Sequence, residues 1–293
     1  MHPRGVLHPL VKVLLSIAVV FGAAYVLLLA LLWSHQERVV FQPPRAPTTE
    51  PVSPTGNVAV RQVSYRAADD TQLFAYVVGD PAAAPHVLLA FHGNADLARW
   101  VVPWALEVVR ATGAAVLLPE YRGYDGLAGP PTYAGVTLDA RAALQFARDS
   151  LQIPAQRLAY FGHSLGSAVA TQLAIEAPPQ VLILQSPFTS ALAMARRMLV
   201  PGLALFWRAI SRVHYDTRDA VRSLPVPLWV VHGDHDVIIP VRMGREVLEA
   251  ARVKGELLIV RGAGHNDVTE RGGTAYWEWL RRALTSSAPA TGG

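Results

Sequence analysis

Cysteine is absent from this 293-residue chain, and lysine is almost absent. Without cysteine there is no disulfide scaffold, no thiolate zinc site and no thiol nucleophile. Lys12 and Lys254 are the only lysines, so arginine carries nearly all of the positive charge. The formal net charge is +4, but no basic run is long enough for a phosphate-binding patch. We therefore expect no nucleic-acid partner.

The chain also lacks the common signatures of a cofactor site. No glycine-rich phosphate loop and no nicotinamide fingerprint follow a predicted strand, so nucleotide-dependent chemistry has no support. His232, Asp234, His235 and Asp236 are residue types that bind metals. Because these four side chains are nearly adjacent in one loop and no second cluster accompanies them, we expect neither a metal nor a cofactor. The hydrophobic fraction of 52% excludes a disordered chain.

The longest apolar run, residues 13–33, contains no charged residue. At about 1.5 Å rise per residue, a helix of this length spans roughly 31 Å, the thickness of a bilayer core. Arg4 and Lys12 precede the run, and Trp33 closes it where interfacial tryptophans are common. A cleaved signal peptide is the alternative, but the run exceeds a normal signal-peptide core and no small-residue cleavage site follows. The sequence therefore predicts a transmembrane anchor with membrane lipids as partners.

The flanks of this anchor set its expected orientation and its distance from the rest of the chain. Charges in the tail, residues 1–12, are nearly balanced by Arg38 and Arg45, which leaves a weak bias for a cytoplasmic tail. The arginine- and alanine-rich composition is typical of a GC-rich bacterial genome, so we expect a single-pass inner-membrane protein whose bulk lies outside the cytoplasm. Residues 34–57 contain five prolines and predict a stiff spacer that lifts the following domain off the bilayer.

After the spacer, residues 58–286 alternate between short β-rich runs and longer helical patterns, and residues 287–293 form a short tail. Alternation of this kind predicts an α/β domain with an eight-stranded, mostly parallel sheet, helices on both faces and ligands at the carboxyl ends of the strands. The predicted strands are Val58–Tyr65, Gln72–Val78, His86–Phe91, Ala114–Pro119, Arg157–Phe161, Val181–Gln185, Leu228–His232 and Glu256–Val260. The predicted helices are Leu97–Ala111, Thr132–Ser150, Leu165–Ala177, Val241–Arg252 and Thr274–Leu284. The first two strands leave no room for a helix between them, so we expect an antiparallel hairpin at the sheet edge.

An insert, residues 186–227, separates the sixth and seventh strands. Its helical but irregular pattern beyond the carboxyl edge of the sheet predicts a lid. Six arginines and two aspartates lie between residues 186 and 222, and Phe188, Phe206 and Trp207 are candidates for substrate contact. A basic, apolar insert on a tethered domain could rest on anionic headgroups. In the alternative interpretation, its apolar residues pack onto the sheet and its arginines are solvated.

The sharpest local signal is the motif Gly162-His163-Ser164-Leu165-Gly166, directly after a predicted strand and at the start of a helix. A serine at such a strand-to-helix turn is held in a strained conformation and exposed at the sheet edge, beside the positive end of the helix dipole. A chance Gly-Ser-Gly turn is the alternative, and its placement between strand and helix disfavours it. Ser164 is therefore the candidate nucleophile.

A serine hydroxyl needs a base to take its proton and a carboxylate to orient that base. His265 follows the last predicted strand, and Asp236 follows the strand before it, which gives the chain order serine, acid, histidine. Asp234 is the alternative acid, ranked second because Asp236 lies farther beyond the strand end. A solvated loop histidine and a turn-forming aspartate are the alternatives for the two residues taken singly.

Acyl transfer also needs two backbone N–H donors aimed at the oxyanion. The N–H of Leu165, directly after the nucleophile, is one candidate. The loop His92-Gly93-Asn94-Ala95 after the third strand supplies the other, with Asn94 preferred and Ala95 as the alternative.

With these motifs the chain resembles the α/β-hydrolase superfamily over about residues 58–284. Together with Tyr121-Arg122-Gly123-Tyr124, Ser186-Pro187-Phe188-Thr189-Ser190 and Gly264-His265-Asn266-Asp267, they are similar to membrane-anchored serine hydrolases grouped with serine aminopeptidase-like proteins, whose eukaryotic relatives include protein depalmitoylases. The resemblance implies Ser164 as nucleophile, Asp236 as acid and His265 as base. Asp125-Gly126-Leu127 departs from the pattern, because relatives usually have glycine followed shortly by serine.

Three functions fit these residues. The preferred one is a membrane-anchored serine hydrolase that cleaves carboxylic esters or thioesters, lipid-like ones included, through an acyl-enzyme. The second is a peptidase on the same three residues, with Asp216 or Asp219 available to bind a substrate amine. The third is a non-catalytic binding module of the same fold, against which the intact serine, acid and histidine argue. The sequence does not indicate an oligomeric state.

Overall fold

The computed structural model of this protein describes residues 9–45, 57–198 and 211–286. Its strands are β1 Val60–Arg66, β2 Gln72–Val78, β3 Val87–Phe91, β4 Ala115–Pro119, β5 Leu158–His163, β6 Val181–Gln185, β7 Pro227–Gly233 and β8 Val253–Val260. Its α-helices are α1 Pro9–Val40, α2 Ala98–Thr112, α3 Tyr133–Gln145, α4 Leu165–Glu176, α5 Ala191–Met198, α6 Thr217–Ala220, α7 Val241–Ala250 and α8 Val268–Thr285.

The eight strands form one sheet in the order β1-β2-β4-β3-β5-β6-β7-β8. β1 pairs antiparallel with β2, β2 pairs antiparallel with β4, and the remaining neighbours are parallel. The predicted eight-stranded, mostly parallel sheet and its edge hairpin are therefore confirmed. Parallel pairing brings the carboxyl ends of β3, β5, β6, β7 and β8 to one edge of the sheet.

The central strands are continuous apolar runs because both faces of the sheet are covered. Every residue of β3, β4 and β6 is buried, as is typical of strands packed between two helical layers. Helices α2 and α8 pack on one face, and α3, α4 and α7 pack on the other. β1 is largely exposed, as expected for an edge strand.

Several boundaries differ from the predicted ones. α8 begins at Val268, six residues before the predicted start, and continues through a kink at Gly273, which has φ +51°. The backbone at Gly273 is not helical, so a second helical segment begins at the predicted Thr274 and packs on the sheet, and a short segment from Val268 precedes it. β8 begins at Val253 rather than Glu256 because it continues its pairing with β7.

α1 is the one described helix long and apolar enough to cross a membrane. It extends seven residues beyond the predicted boundary at Trp33 and ends on the α/β domain, where Gln36 and Phe41 are buried. The segment immediately after the apolar run is therefore docked helix rather than extended spacer. Residues 46–56, which hold Pro47, Pro51 and Pro54 of the predicted spacer, lie outside the described residues.

Within the insert, α5 and α6 are described, whereas residues 199–210 lie outside the described part of the chain. Phe206 and Trp207 belong to that segment. Phe188, the third candidate for substrate contact, is buried in the main core. Its ring contributes to packing on the α4 side of the sheet, where the apolar residues of α5 also lie.

Candidate active site

Ser164 occupies the tight turn between β5 and α4, with φ +53° and ψ −116°. Such a conformation is rare for a residue with a side chain. The flanking glycines make the turn possible, because a Cβ on Gly162 would overlap the backbone of Gly166 and a Cβ on Gly166 would overlap the carbonyl of Phe91. The Ser164 N–H donates to the Gln185 carbonyl (3.0 Å), which fixes the turn to β6.

The loops after β7 and β8 bring an acid and a base into contact. His265 Nδ1 lies 2.7 Å from Asp236 Oδ2. The other carboxylate oxygen, Oδ1, accepts from the backbone N–H groups of Ile238 (2.9 Å) and Ile239 (2.8 Å). Burial raises the pKa of Asp236, but the hydrogen bonds of His232 and His265 outweigh it and hold that pKa below its ordinary value. Asp236 is therefore an anion that orients the His265 ring.

Asp234, the alternative acid, has a different position. Its side chain is exposed, and its Oδ1 accepts from the Gly262 N–H at 2.6 Å. That bond ties the loop after β7 to the loop after β8. The structure thus pairs His265 with Asp236 and leaves Asp234 as a bridge between the two loops.

A second histidine, His232, contacts the acid. Its Nε2 lies 2.8 Å from the Ile239 carbonyl and 3.3 Å from Asp236 Oδ2. Because a carbonyl oxygen only accepts, Nε2 carries a proton and the carboxylate receives an N–H from each histidine. Sequence reasoning considered His232 only as a metal ligand. In the part of the chain that the structure describes, no group of three His, Asp or Glu side chains is arranged to hold a metal ion.

A cavity of about 1060 Å³ contains Ser164, His163 and His265 in its wall. α2 and α8 form its sides, and three of the seven tryptophans, Trp100, Trp104 and Trp277, line it. Phe188, a predicted pocket residue, is not among the lining residues. The cavity wall therefore combines the candidate nucleophile and base with aromatic surface.

The loop after β3 packs directly against the nucleophile turn. A Cβ on Gly93 would lie 3.5 Å from Ser164 Cβ and 3.1 Å from His163 Nδ1, so the backbone of this loop runs beside the serine. Asn94 and Ala95 both line the cavity, and Ala95 has φ +54°. Leu165 is the first residue of α4, where N–H groups have no intrahelical acceptor. Asn94 and Ala95 thus border the cavity directly, whereas Leu165 is buried and follows Ser164, which lines the cavity.

A buried ion pair supports the loop after β3. His92 Nε2 lies 2.8 Å from Glu120 Oε1, and His92 Nδ1 lies 2.9 Å from the Gly93 carbonyl. Both ring nitrogens thus face oxygen acceptors, as in a protonated histidine. Glu120 also accepts from the N–H groups of Tyr121 (3.0 Å) and Ala98 (2.9 Å). Burial lowers the pKa of His92, but the charge and hydrogen bond of Glu120 outweigh it and raise that pKa above its ordinary value. Sequence reasoning missed Glu120, although an acidic residue directly after a buried strand is a usable signal.

The side chain of Asn94 holds the end of α1. Its Nδ2 donates to the Val40 carbonyl (2.7 Å), and its Oδ1 accepts from the Gln42 N–H (2.8 Å) and the Tyr124 hydroxyl (2.9 Å). Gln42 itself lines the cavity. The chain leaving α1 therefore forms part of the wall of the candidate active site.

His163 precedes Ser164 in the wall of the cavity and contacts His265. Its Nε2 is 3.3 Å from the His265 carbonyl, and the two rings are tilted by 36° with centroids 5.0 Å apart. Burial, followed by the proximity of His265, lowers the pKa of His163 to about 3. The ring is therefore neutral near pH 7, and its N–H supports the backbone of the loop that carries His265.

Comparisons with known proteins agree with this fold. A family model for the alpha/beta hydrolase fold matches residues 86–209. The chain belongs to the α/β-hydrolase superfamily. An uncharacterized protein of Mycobacterium tuberculosis is 34% identical over 263 residues, covering 88% of this chain and 90% of its own length.

Two other similar proteins carry functional names. Lysophosphatidylserine lipase ABHD12 of Danio rerio is 31% identical over 182 residues, which cover 56% of this chain and 47% of that protein. The esterase Pf2001 of Pyrococcus furiosus superposes with a TM-score of 0.61 at 20% identity, covering 83% of this chain and 99% of that one. The chain is thus similar in sequence to a protein named as a lipase and similar in fold to a protein named as an esterase.

Proposed function

We propose that this protein is a membrane-anchored serine hydrolase that cleaves carboxylic ester or thioester bonds through an acyl-enzyme. The observation that carries the proposal is the contact of His265 with Asp236 at 2.7 Å in the loops beside Ser164, with Ser164 and His265 lining one cavity. Side chains of this chemistry in this arrangement activate a serine for acyl transfer.

In the proposed mechanism, Ser164 Oγ attacks the substrate carbonyl carbon while His265 Nε2 takes the hydroxyl proton. Asp236 holds Nδ1 and stabilises the imidazolium. The imidazolium then gives its proton to the leaving alcohol or thiol as the bond to the acyl group breaks. Water, deprotonated by His265, attacks the acyl-enzyme, and the carboxylic acid leaves as Ser164 regains its proton.

We assign the oxyanion donors to the backbone N–H of Leu165 and of Asn94. Gly93 lies against Ser164, and the N–H of Asn94 is the next donor along the loop, which favours it over Ala95. Each such donor contributes about 3 kcal/mol to lowering the barrier. The reaction needs no cofactor.

Ester and thioester chemistry is preferred to peptide hydrolysis. The two aspartates considered for binding a substrate amine are engaged elsewhere: Asp216 caps α6 by accepting from the Asp219 N–H (3.1 Å), and Asp219 lies 3.5 Å from Arg222. Neither lines the cavity. The names of the zebrafish lipase and the Pyrococcus esterase also favour ester substrates. We further propose that α1 anchors the protein in a bacterial inner membrane, with the hydrolase domain outside the cytoplasm.

The direct test is hydrolysis by the full-length protein in detergent of three soluble substrates: a p-nitrophenyl ester, an acyl thioester and an aminoacyl amide. We expect turnover of the first two, and a loss of roughly 10⁴-fold or more in Ser164→Ala. Ser223→Ala, on an exposed hydroxyl outside the cavity, is the matched control and should keep full activity. Turnover of the amide alone would favour the peptidase, and no turnover by folded protein would favour the binding module.

A further inference from the structure

The exposed apolar side chains of the α/β domain are concentrated around the cavity mouth. Among the described residues outside α1, five large hydrophobic side chains are strongly exposed: Trp100, Ile175, Met198, Val237 and Ile238. Trp100 and Ile238 line the cavity, and Val237 precedes Ile238 with 79% of its surface exposed. Several exposed apolar side chains beside a cavity are typical of a surface that contacts a partner or a membrane.

Met198 belongs to the same side of the domain. It ends α5, and the preceding Arg197 donates to the carbonyls of Val237 (2.6 Å) and Ile238 (3.2 Å). α5 is thereby fixed to the loop that carries Asp236. We call Trp100, Met198, Val237 and Ile238 the apolar rim. Ile175, near the end of α4, is the fifth exposed apolar residue and does not line the cavity.

The end of α1 lies at this mouth. Gln42 lines the cavity two residues after the helix ends at Val40. The domain contacts the helix from Trp33 onward. The Arg212 guanidinium lies 4.1 Å from the Trp33 ring centroid, and Gln36 Oε1 accepts from the backbone N–H of Arg212 at 2.6 Å. The helix end and the domain are thus held together over the two turns that follow the apolar run.

Helix dimensions set the distance from the mouth to a bilayer. If residues 13–33 cross the hydrocarbon, the seven residues from Trp33 to Val40 rise only about 10 Å. The headgroup region occupies roughly 5–8 Å on each side of the hydrocarbon core. The end of α1, and with it the Gln42 part of the cavity wall, therefore lies only about 2–5 Å beyond the headgroups, so side chains at the mouth are long enough to reach the lipid surface.

We infer that the apolar rim enters the same bilayer that holds α1, so that an acyl substrate reaches Ser164 from the lipid rather than from water. Tryptophan and aliphatic side chains are the groups that such an interface accepts. This inference rests on the proposed function: its membrane contact rests on the proposed anchoring by α1, and its substrate side rests on the proposed hydrolysis. The substrate class it names is an amphiphilic ester resident in the membrane.

The absence of cysteine makes the contact measurable without activity. Full-length Val237→Cys, Met198→Cys and Ile175→Cys are labelled with the fluorophore NBD and reconstituted into phosphatidylcholine vesicles containing lipid with a doxyl quencher near the headgroup. Val26→Cys, in the apolar run, reports the position of α1. We expect blue-shifted, quenched emission at positions 26, 198 and 237, and water-like, unquenched emission at position 175. Equal emission at 237 and 175, or unquenched emission at 26, would overturn the inference.

A second experiment separates the rim from the chemistry. The double variant Val237→Ser, Met198→Ser is compared with Ile175→Ser on a long-chain fluorogenic ester embedded in vesicles and on a soluble short-chain ester. We expect the double variant to hydrolyse the embedded ester about tenfold more slowly, from lost apolar contact with lipid, and to retain the soluble rate. If the double variant and Ile175→Ser hydrolyse each ester at equal rates, the proposed contact of the apolar rim with the membrane is contradicted. Absent hydrolysis of either ester by the unmodified protein would instead refute the proposed function and leave the quenching result standing.

Discussion

The loop after β7 and the loop after β3 both line the cavity that contains Ser164, but they are held in different ways. Asp236 receives its hydrogen bonds from Ile238, Ile239, His232 and His265, three of which lie within four residues of it. The loop after β3 depends on Glu120 and on the end of α1, both distant in sequence. One side of the site is therefore built locally and the other by long-range packing. We therefore expect the proposed activity to depend on parts of the chain far from the motifs.

The largest effect is expected within the loop after β7, where two aspartates are matched controls for each other. Asp236→Asn should lower kcat by about 10³- to 10⁴-fold, because an amide cannot stabilise the imidazolium of His265. Asp234→Asn should retain activity within about threefold, because its Oδ1 only bridges to the Gly262 N–H. Steady-state kinetics on a soluble ester decide this. Similar losses in the two variants would contradict the assignment of Asp236.

The loop after β3 should respond through stability. Glu120→Gln leaves the buried charge of His92 without its partner, and breaking a buried pair costs about 3–5 kcal/mol in the free energy of unfolding. Glu107→Gln, on an exposed carboxylate paired with Arg110, should change that free energy by less than about 0.5 kcal/mol. Urea unfolding in detergent measures both. A Glu120→Gln protein as stable as the Glu107→Gln protein would show that the pair does not support the loop.

We expect a smaller effect from the hydrogen bonds between the Asn94 side chain and the end of α1. The effect should be larger on kcat than on KM. Asn94→Ala removes the bonds to Val40, Gln42 and Tyr124, so we expect kcat to fall about 10- to 100-fold with a smaller change in KM. Asn94→Asp retains the acceptor for Gln42 and Tyr124 and should recover part of the loss. Asn57→Ala, exposed at the start of the domain, is the control. An unchanged kcat in Asn94→Ala would show that the hydrogen bonds of Asn94 to the end of α1 do not contribute to catalysis.

The remaining effects appear only when the pH is changed, and they have opposite signs in two histidines. The pKa of His92 is raised above 6.5, so its stabilising pair is complete below about pH 6.5 and is lost as pH rises through the raised pKa. The pKa of His163 is lowered to about 3 in the folded protein. Between pH 6.5 and 3 this histidine therefore binds a proton in the unfolded chain but not in the folded one. The free energy of unfolding consequently falls as pH drops through this range.

Urea midpoints measured across this pH range in the unmodified protein, His92→Gln and His163→Gln test both signs. His92→Gln should flatten the alkaline side of the profile, and His163→Gln should flatten the acidic side. The reverse assignment, or no change on either side, would contradict the charge states inferred for these rings.

Local patterns predicted most of the fold and one half of the site. The strands were found to within a few residues because buried parallel strands are short apolar runs, and the chain order of Ser164, Asp236 and His265 follows from their positions after β5, β7 and β8. The contact between His265 and Asp236 was expected, and the structure has it at 2.7 Å.

The other half could not be predicted because its contacts join distant segments. Nothing near Asn94 in the sequence indicates that its side chain binds the end of α1, and the five prolines of residues 34–57 indicated a spacer where Phe41 is in fact buried. Asp125, the departure from the family pattern, pairs with Arg99 of α2 (Nε to Oδ2, 2.8 Å), a partner that only the folded sheet brings near.

The most direct test of the central claim is to locate the nucleophile. The full-length protein is treated with a fluorophosphonate probe, digested and analysed by peptide mass spectrometry, alongside Ser164→Ala, His265→Ala and the Ser223→Ala control. We predict one adduct, on the peptide that contains Ser164, absent from Ser164→Ala, strongly slowed in His265→Ala and unchanged in Ser223→Ala. An adduct on another serine, or labelling that survives Ser164→Ala, would contradict the assignment of this turn as the catalytic centre.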